Sequence, residues 1–152
     1  AAGVRLEPNQ LERFREAFEQ VVADELGEQP LTPALLLECE LDFQQASDSA
    51  FLQELELMQP FGAGNAEPVF ASPELTVVDR SPLGYSGDHV RLRLKDSASG
   101  ITLMAKGWNM ATAFPPSSVG SRIRVAYTPR LDYYRGVASI DVGIKDWQPV
   151  AD

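Results

Sequence analysis

The sequence has little cysteine and histidine, and this scarcity excludes several kinds of site. Its 152 residues contain one cysteine, Cys39, so no disulfide forms within the chain and no Cys/His cluster exists for a structural zinc. The single histidine, His89, excludes multi-histidine metal sites and argues against a Ser-His-Asp hydrolase. Apolar runs fall far short of the ~20 residues of a membrane span, and no signal peptide is evident. We therefore expect a cytoplasmic protein without a membrane segment.

Length and composition are those of one ordinary globular domain, with 44% hydrophobic and 23% charged residues. The net charge of −9 is unevenly distributed. Residues 1–70 carry three arginines against fourteen acidic residues, a balance of −11, whereas residues 71–152 carry ten basic against eight acidic residues, a balance of +2. The average charge therefore conceals a mildly basic domain in the second half.

Residues 1–70 show the periodicity of two helices joined by a linker. The first helix is predicted over residues 9–26, with Asn9 as its N-cap and Gly27 as its end. A short strand is predicted over residues 35–41, with Cys39 in the core. A second helix then precedes a glycine-rich turn. We expect three segments with distinct roles: the terminal helix of a preceding domain (1–28), a linker with strand and helix (29–68), and a barrel (69–149).

The remaining residues change to a period of two. Apolar and polar residues alternate over five stretches, which predicts strands that are buried on one face. One or two helical turns are expected over residues 110–114, between the third and fourth strands. This order is that of the OB-fold, a five-stranded Greek-key barrel. The predicted fold class is therefore α+β, a five-stranded OB-fold β-barrel preceded by two helices.

The second and third barrel strands carry the candidate binding residues. Their predicted outward side chains are His89, Arg91, Arg93 and Lys95 on one strand, and Thr102, Met104, Lys106 and Trp108 on the other. Cations for phosphates and flat side chains for bases are what a groove for single-stranded nucleic acid requires. The alternative is an ordinary solvated strand face, which also favours arginine and lysine.

Two predicted loops add aromatic residues to this candidate DNA-binding site. The loop after the first strand contains Tyr85, and the last hairpin contains Tyr133, Tyr134 and Arg135. These two loops clamp ligands in OB-folds. One of two adjacent tyrosines on a hairpin normally covers the core, so we expect only one of the pair to stack on a base. No catalytic residue and no metal ligand is predicted.

Residues 57–70 resemble a known family signature. The matching residues are Pro60, Phe61, Gly62, Gly64, Asn65, Pro68 and Phe70. This pattern is similar to the P-F-G-x-G-N-x-x-P-x-F signature of the RecJ family, bacterial exonucleases specific for single-stranded DNA. The start of the chain, Ala1-Ala2-Gly3, resembles the end of the motif that closes the family's second domain. From this resemblance we expect a fragment, with the signature residues in a structural role.

The resemblance implies the C-terminal, DNA-holding part of an enzyme that degrades single strands from 5′ to 3′ in recombination and repair. The family's manganese or magnesium ions are held by an N-terminal catalytic domain with a D-H-H motif, which this chain lacks. The chain alone is therefore expected to be inactive and without a cofactor. Its implied partners are single-stranded DNA and the parent's own catalytic domains.

Two other interpretations stay open from the sequence. The basic face would also suit an acidic partner, such as the tail of a single-strand-binding protein, and a net charge of −9 favours this because it repels DNA. Alternatively, the domain only braces the full enzyme. In that case dimerisation through Leu11, Phe14 and Phe18 would be an artefact of truncation.

Overall fold

The computed structural model describes residues 3–27, 33–134 and 137–151, which fall into two compact units, Ala1–Leu35 and Leu36–Asp152. The first unit contains helix α1 (Leu11–Leu26), which ends at Gly27 with a left-handed φ of 62°. The predicted N-cap at Asn9 is wrong: this residue lies in a 3-10 turn, Pro8–Gln10, that leads directly into the helix. Neither helix in the described residues is long and apolar enough to cross a membrane.

The second unit begins with an extended segment and helix α2 (Ser49–Leu57). The Asp48 carboxylate caps α2 by accepting hydrogen bonds from the backbone N–H groups of Ala50 and Phe51, at 2.8 and 3.4 Å. The strand predicted over residues 35–41 is wrong, since only Glu40 forms an isolated parallel bridge there.

The prediction that Cys39 lies in the core is also wrong, because its side chain is exposed. The backbone N–H of Glu38 donates to Val69, and the backbone oxygen of Cys39 accepts from Ala71 at the edge of the sheet, both at 2.9 Å. Burial starts only where the segment reaches the barrel, at Leu41 and Phe43.

Six strands form one sheet in the order β1-β5-β2-β3-β4-β6. Their bounds are β1 (Phe70–Ala71), β2 (Leu75–Leu83), β3 (His89–Asp96), β4 (Thr102–Gly107), β5 (Arg122–Tyr134) and β6 (Val137–Pro149). An additional β5–β6 pairing closes five of them into a ring, in which β4 and β6 run parallel and the other neighbours antiparallel. The predicted α+β class is therefore confirmed, whereas the sheet has six strands instead of the predicted five, because the two-residue edge strand β1 joins it.

The core lies inside this ring and at the end that the extended segment covers. Val90, Leu92 and Leu94 alternate into it from β3 and are fully buried. Tyr127 is buried at this covered end, where its hydroxyl donates a hydrogen bond to the backbone oxygen of Leu41 at 2.8 Å. Burial raises the pKa of Tyr127 above its ordinary value. One helical turn forms over residues 110–114, as predicted: the backbone N–H of Phe114 donates to the backbone oxygen of Met110 at 3.2 Å. Pro115 and Pro116 follow this turn and prevent its continuation.

The Asp96 carboxylate is fully buried at the end of β3 and joins the extended segment to the barrel. It accepts hydrogen bonds from the backbone N–H groups of Phe43 (3.2 Å) and Ala98 (2.8 Å) and from the Ser99 hydroxyl (2.7 Å). Burial by itself raises the pKa of a carboxyl group. These three donors outweigh that effect and hold the pKa of Asp96 below its ordinary value.

We expect Asp96→Asn to lower the free energy of unfolding by about 1–3 kcal/mol near neutral pH, because the NH₂ group that replaces one carboxylate oxygen cannot accept the hydrogen bonds made to that oxygen. A depressed carboxyl pKa stabilises the fold above the unfolded pKa of about 4, and this contribution is lost as the pH falls through the folded value. Urea denaturation across pH should therefore show the two proteins converging in acid. Asp79→Asn, at an exposed site on β2, is the control. If the difference in unfolding free energy between the wild type and Asp96→Asn is independent of pH, the lowered pKa of Asp96 is not the source of this stability.

Candidate nucleic-acid interface

Three cations project outward from β3 between the buried residues. Arg91, Arg93 and Lys95 are all exposed. Within the described part of the chain, none of the three has an ion pair or a side-chain hydrogen bond. Alternate residues of a strand are about 6.6–6.8 Å apart, so the three charges form a regular row. We call these residues the β3 cation row.

Strand register continues this surface across the barrel. Arg91 pairs with Lys106 on β4, Lys106 with Gly143 on β6, and Gly143 with Thr128 on β5. These four residues form one row perpendicular to the strands. We call the outer surface of β3, β4, β6 and β5 around this row the cross-strand face. The register thus places the candidate residues of β3 and β4 on one face.

The charge of Lys106 is already paired, unlike those of the β3 cation row. Its Nζ lies 2.8 Å from Oδ1 of Asp141 on β6, and both side chains are about 30% exposed. Sequence reasoning included Lys106 among the free cations and missed Asp141. The parallel β4–β6 pairing brings them together, and such a long-range pairing leaves no local sequence signal.

Trp108 follows β4 and is held in a fixed position. Its side chain is 56% exposed, and its ring meets the His89 ring edge to face at 4.8 Å. His89 Nδ1 also accepts a hydrogen bond from the backbone N–H of Asn109, at 3.0 Å, where the backbone is left-handed (φ 57°). His89 therefore positions the indole, which leaves Trp108 as an aromatic platform. Met104 is exposed on the same strand.

The aromatic residues of the two loops are exposed as well. Tyr85 is fully exposed between β2 and β3, and Tyr133 is 60% exposed near the tip of the β5–β6 hairpin. Residues 130–134 and 137–141 pair only with each other, so the hairpin extends past the closed part of the ring. The predicted contacts of Arg135 and of the Tyr134 side chain lie outside the described residues.

Glu67 links the turn before β1 to both strands of the hairpin. Its carboxylate accepts from Nε and a second guanidinium nitrogen of Arg130 on β5, and from Lys145 Nζ on β6 at 3.0 Å. Burial raises the pKa of Glu67, but the hydrogen bonds and charges of these two cations hold it below the ordinary value. Sequence reasoning missed this cluster. The only available signal was the position of Glu67 inside the signature turn.

The signature turn is held by hydrogen bonds within the chain. Asn65 donates its side-chain amide to the backbone oxygens of Met58 and Pro60, at 2.8 and 2.9 Å. Gly64 has a left-handed φ of 80°, which favours glycine. Pro68 and the neighbouring Phe70 are buried against the barrel. The turn therefore fixes the path from α2 into β1 and delivers Glu67 to the hairpin.

The residues present do not fit a manganese or magnesium site. Among residues 3–27, 33–134 and 137–151, no three His, Cys, Asp or Glu side chains are grouped closely enough to hold a metal ion.

Comparisons with known proteins agree with this fold. The family model of the RecJ OB domain matches residues 37–146. The single-stranded-DNA-specific exonuclease RecJ of Haemophilus influenzae is 27% identical over 153 residues, which cover 99% of this chain and 26% of that protein. The chain thus spans about a quarter of the length of this curated relative.

Two solved structures share the fold. The crystal structure of RecJ in complex with Mg²⁺ from Thermus thermophilus has a TM-score of 0.64 and 24% identity, over 92% of this chain and 21% of that one. A putative aspartyl-tRNA synthetase from Leishmania major Friedlin has a TM-score of 0.51 and 9% identity, over 90% and 26% of the two chains. At these identities the likeness concerns architecture alone.

We expect Glu67→Gln to lower the free energy of unfolding by about 1–2 kcal/mol, because two charged donors lose a mostly buried carboxylate. Glu40→Gln is the matched control: its contact with Arg124 spans 3.7 Å between side chains about half exposed. Such a pair contributes less than about 1 kcal/mol. Urea denaturation of the wild type and the two variants measures both effects. Equal losses of unfolding free energy in the two variants would contradict the role of Glu67 as a link between the turn and the hairpin.

Proposed function

The chain belongs to the RecJ OB domain family, and from this premise we propose that it holds single-stranded DNA for a RecJ-type exonuclease. The observation that carries the proposal is the β3 cation row, three exposed cations beside the aromatic platform of Trp108. Phosphates bind the cations, and bases stack on exposed rings. Both contacts are independent of sequence, as expected for a protein that must hold any single strand.

The unpaired state of the β3 cation row favours this function. A phosphate that binds Arg91, Arg93 or Lys95 displaces only counterions from the DNA and breaks no ion pair among the described residues. Lys106, Arg130 and Lys145 would each have to leave a carboxylate first. We therefore assign phosphate binding chiefly to the row on β3.

The acidic net charge does not oppose this assignment strongly. Most of the excess negative charge lies in residues 1–70, whereas residues 71–152 carry a slight positive excess. Screening limits the reach of an exposed charge to about 10 Å at 0.1 M salt. The potential that a bound strand experiences is therefore set mainly by the face that it touches.

In the full protein, the domain would hold the strand while a separate catalytic domain, carrying manganese or magnesium, degrades it from 5′ to 3′ in recombination and repair. Residues 1–28 would end the preceding domain, residues 29–68 would link it to the barrel, and residues 69–149 would be the barrel itself. The other partner is then the parent's own catalytic domains, and the place of action is the cytoplasm. Tyr85, Tyr133 and Trp108 would stack on bases, with His89 as the positioning residue of Trp108.

The test of this function is the salt dependence of DNA binding. We expect the triple variant Arg91→Ala/Arg93→Ala/Lys95→Ala to bind oligo-dT more weakly and to reduce the log–log salt slope by about 2, at about 0.7 per phosphate contact. Fluorescence anisotropy of a labelled oligonucleotide across a salt series measures both quantities.

The control removes the same charge from the other compact unit, with Arg5, Arg13 and Arg15 replaced by alanine. This variant should keep the wild-type slope. Equal effects of the two triple variants would reject the β3 cation row as the binding element. An acidic peptide that binds at low salt where oligo-dT does not would instead favour a protein-interaction barrel.

A further inference from the structure

A depression lies in the cross-strand face above Gly143, beyond the β3 cation row. Its volume is about 330 Å³, and its lining includes Trp108, Met110, Thr128, Arg130, Asp141 and Lys145. The phosphate contacts assigned to β3 do not use it. Its position is nevertheless continuous with them, because Gly143 belongs to the same row as Arg91 and Lys106.

Gly143 forms the floor of this depression within the interior of β6. Its backbone is not left-handed, so the conformation does not require glycine. A Cβ there would lie 3.1 Å from Oγ1 and 3.9 Å from the backbone oxygen of Thr128, so glycine leaves room for the Thr128 side chain. Glycine weakens a strand interior, and its presence commonly marks a place where a ligand or another backbone approaches closely.

Trp108 forms one wall of the depression, and its ring is already positioned. The edge-to-face contact with His89 at 4.8 Å fixes the indole, and more than half of the side chain stays exposed. A base that stacks on it would therefore immobilise little additional side chain. An exposed aromatic ring of this kind beside a depression that is lined by Gly143 and Thr128 fits a flat heterocycle.

Charged groups stand on both sides of this wall and floor. Arg91 and Lys106 lie on the β3 side, and Lys145 and Arg130 lie on the hairpin side. The phosphates that flank a base seated over Gly143 would thus meet the unpaired cation Arg91 on the β3 side. On the hairpin side they would meet Lys145 and Arg130, which are ion-paired with Glu67. The arrangement suits one nucleotide of a strand that crosses the barrel from β3 over β4 to β6.

We propose that the depression over Gly143 is a subsite for one nucleobase of the bound strand, stacked on Trp108. This inference rests on the proposed function, because it requires single-stranded DNA on the cross-strand face. The bound strand would then cross the barrel perpendicular to the β-strands, with one nucleobase in the depression.

The first test uses the unaltered chain and two probes, oligo-dT and an abasic phosphodiester oligomer of equal length. Both should bind with salt sensitivity, because both carry phosphates. Only oligo-dT should quench the emission of Trp108. The variant Trp108→Phe assigns the signal: the quenching by oligo-dT should disappear while Trp147 still emits.

The second test fills the depression with Gly143→Val. We expect about tenfold or more weaker binding of oligo-dT, from the lost stacking of one base, with little change for the abasic oligomer. Gln148→Val is the matched control, because it adds a branched side chain at an exposed position of β6 that does not line the depression. If Gly143→Val does not fold, the two-probe comparison decides by itself.

The outcomes separate the subsite from the proposed function. Salt-sensitive binding of both probes without quenching of Trp108, or with equal quenching by both, would overturn the subsite and leave the proposed function standing. If neither probe binds with salt sensitivity, both the subsite and the proposed function are overturned.

Discussion

The parallel pairing of β4 with β6 is the constraint on which the rest of the structure depends. It covers three residue pairs, from Ala105–Val142 to Gly107–Ile144, and converts an open sheet into a ring. At Gly107, the last of these pairs, a Cβ would lie 3.0 Å from Val90 on β3 and 3.1 Å from Met110, so glycine leaves room for these two side chains. Without this pairing, the β3 cation row and the β5–β6 hairpin would lie on opposite edges of a sheet. The cross-strand face is thus a product of closure.

Closure also determines which charges are free. Asp141 lies within 2.8 Å of Lys106 only because β6 runs beside β4, and Glu67 reaches Arg130 and Lys145 only because the signature turn packs against the hairpin. The β3 cation row has no such neighbour among the described residues. The two kinds of cation therefore have different roles, since the paired ones hold strands together and the unpaired ones are available to a ligand.

The sequence predicts the barrel well because its signal is local. Alternation in β3 is a property of successive residues, and the buried and exposed sides follow from it directly. The errors concern tertiary context. Cys39 alternates with the buried residues Leu41 and Phe43, which predicts a buried side chain, but at Cys39 the segment has not yet reached the barrel and the side chain is exposed. The pairing of Lys106 and the floor at Gly143 likewise depend on contacts between distant strands, which periodicity does not encode.

A domain that holds a strand during stepwise degradation has to release each nucleotide in turn. Phosphates and stacked bases repeat along every single strand, so contacts to them have nearly equal energy in each register. A face built from the β3 cation row and Trp108 would let the strand advance, because no DNA sequence would bind it much more tightly than another. Pairing of Lys106 with Asp141, and of Arg130 and Lys145 with Glu67, lowers the number of free cations and so limits the total affinity. For the proposed function, this pairing would favour movement of the strand, because a strand that is held too tightly does not advance.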